Sequence, residues 1–237
     1  MTIWLASGNK HKQQELAAIL SGNVIRLPAE AGIDNFDPEE TGATFAENAL
    51  IKARTLHIIL SADTNKKCAV NQDKSYAVLA DDSGLCVDAM GGRPGIYSAR
   101  YYGKESWAND GGFISPSNTE KLEDWQRNAL LLDELATIVT SPPNMEPTGG
   151  RFRCRFVCAM VLFFSHERFY LVQETMEGEI VPSTAEIRGS GGFGYDPVVY
   201  IPELGHTVAE LPEDEKNLLS HRGKAGMAIA KLLGTEL

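Results

Sequence analysis

The sequence has 237 residues, of which 43% are hydrophobic and 23% are charged, and these proportions are typical of a soluble globular protein. Its formal net charge is -10, with 22 Lys and Arg against 32 Asp and Glu. A surface this acidic repels a phosphate polymer, which argues against a broad nucleic-acid-binding face. It does not exclude a small anionic substrate, because a few lysines and a divalent cation can reverse the field inside one site.

The N-terminal segment and the cysteines indicate the compartment. Met1 to Leu5 leads into a strand pattern with no basic leader, and no apolar run reaches the roughly 18 residues that a membrane span requires. The four cysteines lack the spacing of a zinc site, and scattered free cysteines suit a reducing compartment. We predict a cytoplasmic protein that binds neither a membrane nor a nucleic-acid polymer.

A strand, a turn and a helix are predicted within the first twenty residues. Thr2 to Ala6 is a short apolar run typical of a buried strand, and apolar residues at helical spacing predict a helix over 10–20. A helix that begins after a strand presents free N–H groups to an anion, and a lysine on its first turn can reach the same anion. A plain turn with solvent-facing lysines is the alternative for these residues, which read Ser7-Gly8-Asn9-Lys10-His11-Lys12.

The next helix and strand lead to a pair of carboxylates. Thr44 and Glu47 fit a capping box, which predicts a helix from there to about Leu60, followed by a polar loop over 61–75. Tyr76 to Ala80 predicts a buried strand that ends in Asp81-Asp82-Ser83-Gly84. Adjacent carboxylates can hold a hard cation and orient water, although on an extended chain they point to opposite faces. A solvated turn is the alternative interpretation.

The residue pattern of the second half of the sequence predicts a β-hairpin between two helical segments. Residues 103–119 are rich in Gly, Ser, Asn and Pro and indicate an irregular insertion, followed by a helix over about 120–139 and a linker over 141–150. Two strands, 151–164 and 169–176, flank a turn at Ser165-His166-Glu167. A helical pattern over 213–233 breaks near Ser220. These elements predict an α/β or α+β fold with a mixed sheet.

The segment Gly189-Ser190-Gly191-Gly192-Phe193-Gly194 spells the dinucleotide-binding motif G-x-G-x-x-G. That motif requires a helix directly afterwards, whereas here Tyr195-Asp196-Pro197 and a strand-like run follow. We predict instead a loop that brings its backbone and Phe193 against a flat ligand.

Lys216, His221 and Arg222 place three donors near the predicted helix break, and a solvated basic turn is the alternative interpretation. Ser220 and His221 do not suit a nucleophile and its base, because adjacent residues on a helix diverge by about a third of a turn.

These segments, in this order, resemble the inosine triphosphate pyrophosphatase family, also called HAM1-like or non-canonical purine NTPases. The family motifs A-D-D-S-G-L and G-G-F-G-Y-D-P are similar to Ala80 to Leu85 and Gly191 to Pro197. Further similar segments lie at 7–12, 39–42, 44–53, 91–101, 209–211 and 215–225. The resemblance spans the chain except 61–75 and 103–124, so we predict one domain over 1–237 with loop insertions at those two places.

The resemblance implies an elongated, two-lobed α/β domain with a curved mixed β-sheet flanked by helices and an active cleft between the lobes. It also implies a homodimer. The reaction would be the hydrolysis of non-canonical purine nucleoside triphosphates (ITP, dITP and XTP) to the monophosphate and pyrophosphate, which cleanses the nucleotide pool. Water would attack the α-phosphorus.

Site roles also follow from the resemblance, position by position. Glu40 and Asp82 would bind Mg²⁺, and Asp82 would accept the proton of the attacking water, with Asp81 in support. The triphosphate and sugar would be held by Ser7, Gly8, Asn9, Lys10, His11, Lys12, Lys52 and Ser83. Phe193 would stack on the base, and the remaining base-binding residues would be Gly194, Tyr195, Asp196, Lys216, His221 and Arg222.

Base selection is expected to depend on hydrogen-bond donors. Hypoxanthine and xanthine carry an acceptor at O6 where adenine carries an amino donor, so a buried donor such as Arg222 or a nearby backbone N–H would discriminate between them. Two alternatives stay open: a Maf-like nucleotide pyrophosphatase with another base preference, and a non-catalytic nucleotide sensor. An NTP panel with pyrophosphate detection distinguishes all three.

Overall fold

The computed structural model describes residues 1–62, 76–108, 111–114, 122–138 and 151–234. These residues form β-strands and α-helices joined by loops and short 3-10 turns. The strands are β1 (Thr2–Leu5), β2 (Val24–Arg26), β3 (Tyr76–Val87), β4 (Phe152–Ser165), β5 (Arg168–Ile180), β6 (Val199–Ile201) and β7 (His206–Thr207). The helices are α1 (Lys10–Ile19), α2 (Phe45–Ala62), α3 (Asp124–Ala136), α4 (Glu213–Leu219) and α5 (His221–Leu232).

The strands form one mixed sheet in the order β2-β1-β3-β4-β5-β6-β7. β1 pairs in parallel with β2 and with β3, whereas β6 is antiparallel to both β5 and β7. The predicted α/β fold with a mixed sheet is confirmed. The β1–β3 register places Leu5 opposite Leu79 and therefore brings the turn after β1 to the same end of the sheet as Asp81.

The chain groups into two compact units, each assembled from separate stretches of sequence. The first comprises Met1–Ser83, Val157–Thr175 and Asn217–Leu237, and the second comprises Gly84–Phe156 and Met176–Lys216. Each has its own apolar core. In the first unit, Leu16 of α1 and Ile229 of α5 belong to a core that includes Ile3 and Leu79. In the second unit, Leu131 of α3 packs in a core that includes Val87. The single domain over 1–237 stays a prediction.

The predicted start of α2 is confirmed by its hydrogen bonds. Thr44 Oγ1 accepts from Glu47 N at 3.1 Å, and Glu47 Oε2 accepts from Thr44 N at 3.1 Å, which is the reciprocal arrangement of a capping box. The helix continues to Ala62, so the first two residues of the predicted 61–75 loop are helical. The rest of that loop lies outside the described residues.

β3 departs from the prediction. It was expected to end at Ala80, but it continues to Val87, so Asp81-Asp82-Ser83-Gly84 is extended strand and not a turn. Both carboxylates are buried beside cations, and this pairing offsets part of the penalty for burying them, so the strand can continue through them.

The predicted elements of the second half are present with shifted boundaries. The expected helix over about 120–139 is α3, which begins at Asp124. Phe113, in the predicted insertion, stacks on Tyr97 with ring centroids 4.0 Å apart, and residues 109–110 and 115–121 lie outside the described residues. β4 and β5 are sheet neighbours joined by a short turn, as the hairpin prediction required. The linker over 141–150 lies outside the described residues.

The C-terminal helical pattern breaks where expected. Ser220 separates α4 from α5, and its Oγ accepts a hydrogen bond from Gly223 N at 3.0 Å. Within the described part of the chain, no helix is long and apolar enough to cross a membrane.

Candidate active site

The parallel pairing of β1 with β3 positions the first group of predicted site residues. Ala6 N donates to Leu79 O at 2.7 Å, so the turn over 7–9 lies beside the part of β3 that carries the aspartates. α1 then begins, and Lys12 on its first turn reaches Asp81, with Nζ 2.9 and 2.8 Å from the two carboxylate oxygens. The structure therefore brings together the two motifs that stand 69 residues apart in sequence.

Asp81 is almost completely buried, with 2% of its surface exposed. Burial alone would raise its pKa, but Lys12 and Arg222 hold the pKa well below its ordinary value. Arg222 Nε lies 3.4 Å from Asp81 Oδ2. Asp81 thus favours its charged form, and this carboxylate orients Lys12 and Arg222.

Asp82 follows on the opposite face of the strand, as the alternation of side chains requires. Lys52 on α2 donates to Asp82 Oδ1 at 2.9 Å and to Glu40 Oε1 at 3.0 Å, and Asn48 Nδ2 donates to Asp82 Oδ2 at 3.3 Å. Burial raises the pKa of Asp82 despite the opposing effect of Lys52. The pKa of Lys52 is raised, because Asp82, Asp81 and Glu40 outweigh its burial. Asp82 is accordingly the more basic of the two aspartates.

The cluster does not carry a surplus of positive charge. Three cations, Lys12, Lys52 and Arg222, face four carboxylates, Glu15, Glu40, Asp81 and Asp82. A polyphosphate would meet a slightly negative site, so anion binding here requires additional cations.

Arg222 lies inside this cluster, 3% exposed. Its Nη1 donates to Glu15 Oε2 at 2.8 Å and its Nη2 to Ser83 Oγ at 3.2 Å. The guanidinium therefore joins α1, β3 and the first turn of α5. His221 begins α5 and is also buried.

The turn after β1 is organised by its own side chains. Ser7 Oγ accepts from Asn9 N at 3.1 Å, and Asn9 caps α1 by accepting from the N–H groups of His11 at 2.9 Å and Lys12 at 3.3 Å. The predicted start of α1 is confirmed, and Asn9 accepts from two of the N–H groups that an anion could bind. Gly8 and Lys10 are exposed on the same turn.

A second group of predicted residues comes together in the other unit. Asp196 is buried, and its Oδ2 accepts from Phe193 N at 2.9 Å and from Lys216 Nζ at 2.8 Å. Lys216 Nζ also lies 5.1 Å from the centre of the Phe193 ring, which is 39% exposed. The loop thus presents one accessible aromatic face beside a cation, a combination suited to a planar ligand.

Gly192 permits this arrangement. It adopts φ +74°, and a Cβ there would lie 2.0 Å from Asp196 Oδ2. Gly194 is held on both sides, because its N donates to Asp124 Oδ2 at 2.6 Å and its O accepts from Asn128 at 3.1 Å. Tyr195 is buried, and its hydroxyl donates to Ser98 O at 2.9 Å. Its visible role is to anchor the loop.

Four residues that support these groups were not predicted from the sequence: Glu15, Asn48, Asp124 and Asn128. Two of them carried a signal. Glu15 lies three residues after Lys12 on α1, and Asn48 lies four residues before Lys52 on α2, so each shares a helix face with a predicted residue. Asp124 and Asn128 carried none, because their partner is a backbone group 70 or 66 residues away.

Comparison with known proteins independently supports the family resemblance that the motifs indicate. Residues 3–232 match the Ham1 family. A dITP/XTP pyrophosphatase of Treponema denticola is 41% identical over 98% of this chain and 98% of the relative, and one of Pectobacterium atrosepticum is 39% identical over 93% and 92%. Two solved structures, a HAM1 protein from Coxiella burnetii and the Ham1 protein of Staphylococcus aureus, have TM-scores of 0.73 and 0.72 at 31% identity, each over 100% of both chains.

The fold and these matches define an α/β enzyme of the hydrolase class. The chain belongs to the Ham1 family, and the resemblance identified from its motifs is confirmed.

The contacts of Arg222 generate a stability prediction. Lysine offers one nitrogen where the guanidinium contacts Glu15, Asp81 and Ser83, so Arg222→Lys leaves buried groups without a donor. We expect a loss of about 2–3 kcal/mol in the free energy of unfolding, measured by urea denaturation. Arg153→Lys at an exposed strand position is the control. A loss no greater than that of the control would contradict the bridging role.

Proposed function

We propose that this chain hydrolyses non-canonical purine nucleoside triphosphates, ITP, dITP and XTP, to the monophosphate and pyrophosphate. The observation that carries the proposal is the bridging position of Lys52, whose single nitrogen holds Glu40 and Asp82 together while Lys12 stands beside them on Asp81. The names of the relatives from Treponema denticola and Pectobacterium atrosepticum support the substrate class.

The donor set fits Mg²⁺. This ion binds oxygen ligands and usually takes only one or two protein carboxylates, with water and substrate phosphates as the other ligands. Glu40 and Asp82 would supply the two carboxylates. Among the described residues, no three His, Cys, Asp or Glu side chains form a complete metal cluster, which is compatible with a site that the substrate completes. Bound Mg²⁺ would neutralise phosphate charge and make pyrophosphate a better leaving group.

Asp82 acts as the general base in this proposal. Its carboxylate accepts a proton from water as the water oxygen bonds to the α-phosphorus, and the bond to the bridging oxygen breaks to release pyrophosphate. Its raised pKa favours proton acceptance, and Asn48 Nδ2 holds one of its two oxygens. Lys12, Lys52, Ser83 and the turn over 7–11 hold the triphosphate and sugar.

The exposed ring of Phe193 stacks on the base, and the polar groups around it read the base edge. Asp196 and Lys216 lie next to the ring, and His221 and Arg222 are assigned to the edge from the resemblance. Gly194 and Tyr195 shape the loop. The homodimer and the cytoplasmic location also stay proposals; light scattering during gel filtration measures the first.

An activity panel tests the function. The protein is incubated with ITP, dITP, XTP, ATP and GTP in Mg²⁺, and pyrophosphate is detected. We expect kcat/KM for the first three to exceed that for ATP by a factor of about 10⁴, the discrimination available to a hydrogen-bonding pocket. EDTA should abolish turnover. A preference for modified pyrimidine triphosphates would instead indicate the Maf-like alternative, and binding without pyrophosphate release would indicate a sensor.

Asp82→Asn should preserve the fold and lower kcat by roughly 10²–10⁴, the usual contribution of a general base. The amide keeps the shape but accepts no proton. Asp81→Asn is the matched control on the other face of β3, and its main expected effect is on stability through Lys12 and Arg222. An active Asp82→Asn with an inactive Asp81→Asn would reverse the assignment.

Phe193→Ala should weaken binding of ITP by about 1–3 kcal/mol, the usual contribution of an aromatic–base stack, and therefore raise its Kd roughly 5- to 150-fold. Phe193→Tyr keeps the ring and should bind normally. An unchanged Kd for the alanine variant would exclude Phe193 as the stacking residue.

Arg222→Lys separates two roles of that residue. If its guanidinium reads O6, the variant should lose more kcat/KM for ITP than for ATP, because lysine offers only a point charge. The network of Glu15, Asp81 and Ser83 by itself predicts an equal loss for both substrates. The ratio of the two kcat/KM values, measured at fixed Mg²⁺, distinguishes them.

A further inference from the structure

Asn48 is a completely buried side chain that connects two parts of the charged cluster. Its Oδ1 accepts from Gly42 N at 2.9 Å, and its Nδ2 donates to Asp82 Oδ2 at 3.3 Å. A backbone N–H can only donate and a carboxylate can only accept, so a single orientation of the amide satisfies both partners. Aspartate has a similar size, but an ionised carboxylate offers no donor and so cannot reproduce this pairing of an acceptor with a donor.

The segment that carries Glu40 is fixed to the beginning of α2. Glu47 Oε2 accepts from Ala43 N at 2.7 Å and from Thr44 N, and Asn48 adds the bond to Gly42 N. The approach is close enough to require glycine, because a Cβ on Gly42 would lie 2.7 Å from Asn48 Oδ1. The backbone two residues after Glu40 therefore has a set position relative to Asp82.

Lys52 and Asn48 connect the same two segments in different ways. Lys52 does so through Glu40 Oε1 and Asp82 Oδ1, and a divalent cation competes for these carboxylates. Asn48 binds the other oxygen of Asp82 and a backbone group on the Glu40 side. Its two bonds can thus persist when a cation replaces the Lys52 contacts.

We propose that Asn48 is a positioning residue that holds Glu40 and Asp82 at the separation at which they bind a divalent cation. The inference rests on the proposed function in one respect, the assignment of these two carboxylates to the metal. Asn48 would then determine the affinity for the metal without itself contacting the metal or the substrate.

Binding of Mn²⁺ to the full chain without nucleotide tests this inference, and electron paramagnetic resonance measures the free ion. For Asn48→Ala we expect the Kd for Mn²⁺ to rise about 10- to 100-fold, the usual effect of losing a group that orients a metal ligand. The Mg²⁺ concentration for half-maximal pyrophosphate release should rise in parallel. The KM for ITP at saturating Mg²⁺ should stay near the wild-type value.

Two further variants make the experiment specific. Gln13→Ala is the control, because Gln13 Nε2 also fixes a helix to a neighbouring segment, and it donates to Ile25 O at 2.9 Å and to Glu30 Oε1 at 3.3 Å instead of to Glu40 or Asp82. The Kd of Gln13→Ala for Mn²⁺ should stay unchanged.

Gly42→Ala keeps the Asn48 amide but forces the backbone at position 42 away from that amide. This variant should therefore weaken Mn²⁺ binding as Asn48→Ala does. It provides the measurement if Asn48→Ala does not fold.

Each outcome has a defined meaning. Weakened Mn²⁺ binding in Asn48→Ala or Gly42→Ala, with Gln13→Ala unchanged, supports the positioning role. Wild-type affinity in the folded variants overturns it, as does an equal loss in Gln13→Ala. A wild-type protein that binds no Mn²⁺ and retains full turnover in EDTA overturns the metal assignment of the proposed function as well.

Discussion

Burying Asp81 and Asp82 at neighbouring positions of β3 imposes a requirement on everything around them. A carboxylate removed from water needs a cation or several hydrogen-bond donors, and two in succession need them on both faces of the sheet. Lys12 and Arg222 serve one face, and Lys52 and Asn48 serve the other. α1, α2 and α5 each contribute a side chain to this neutralisation. The need to neutralise two buried carboxylates therefore links the packing of these three helices to the composition of the charged cluster.

Because their partners differ, the pKa values of the two aspartates shift in opposite directions. Asp81 is so fully compensated that its pKa falls, which makes it a fixed anion that orients cations. Asp82 shares its lysine with Glu40, and burial keeps its pKa raised, which agrees with the general-base role proposed for it. One strand thus carries two carboxylates with opposite pKa shifts, distinguished by the number of cations that each one faces.

Many of the elements that carry the site could be predicted from the sequence, because they depend on local patterns. The strand–turn–helix at the N-terminus, the capping box at Thr44 and the break at Ser220 all follow from residues within a few positions of each other. The course of β3 through its aspartates was not predictable locally, because the cations that permit it come from distant segments. The same holds for Asn128 and Asp124, which bind a backbone group of the Phe193 loop. Motif resemblance selected the site residues, but it did not reveal that Arg222 is occupied by Glu15 and Ser83.

The network around Arg222 has a consequence for biosynthesis. Arg222 bonds to Ser83, 139 residues earlier, and to Glu15, 207 residues earlier, so these bonds close some of the longest loops that the chain can form. Contacts of such long range form late and slow the folding of a domain. During translation, Asp81 leaves the ribosome long before Arg222 has been synthesised. A chain that terminates before α5 therefore carries the acidic pair with only part of its compensation, and the charged cluster can be complete only after α5 has been synthesised.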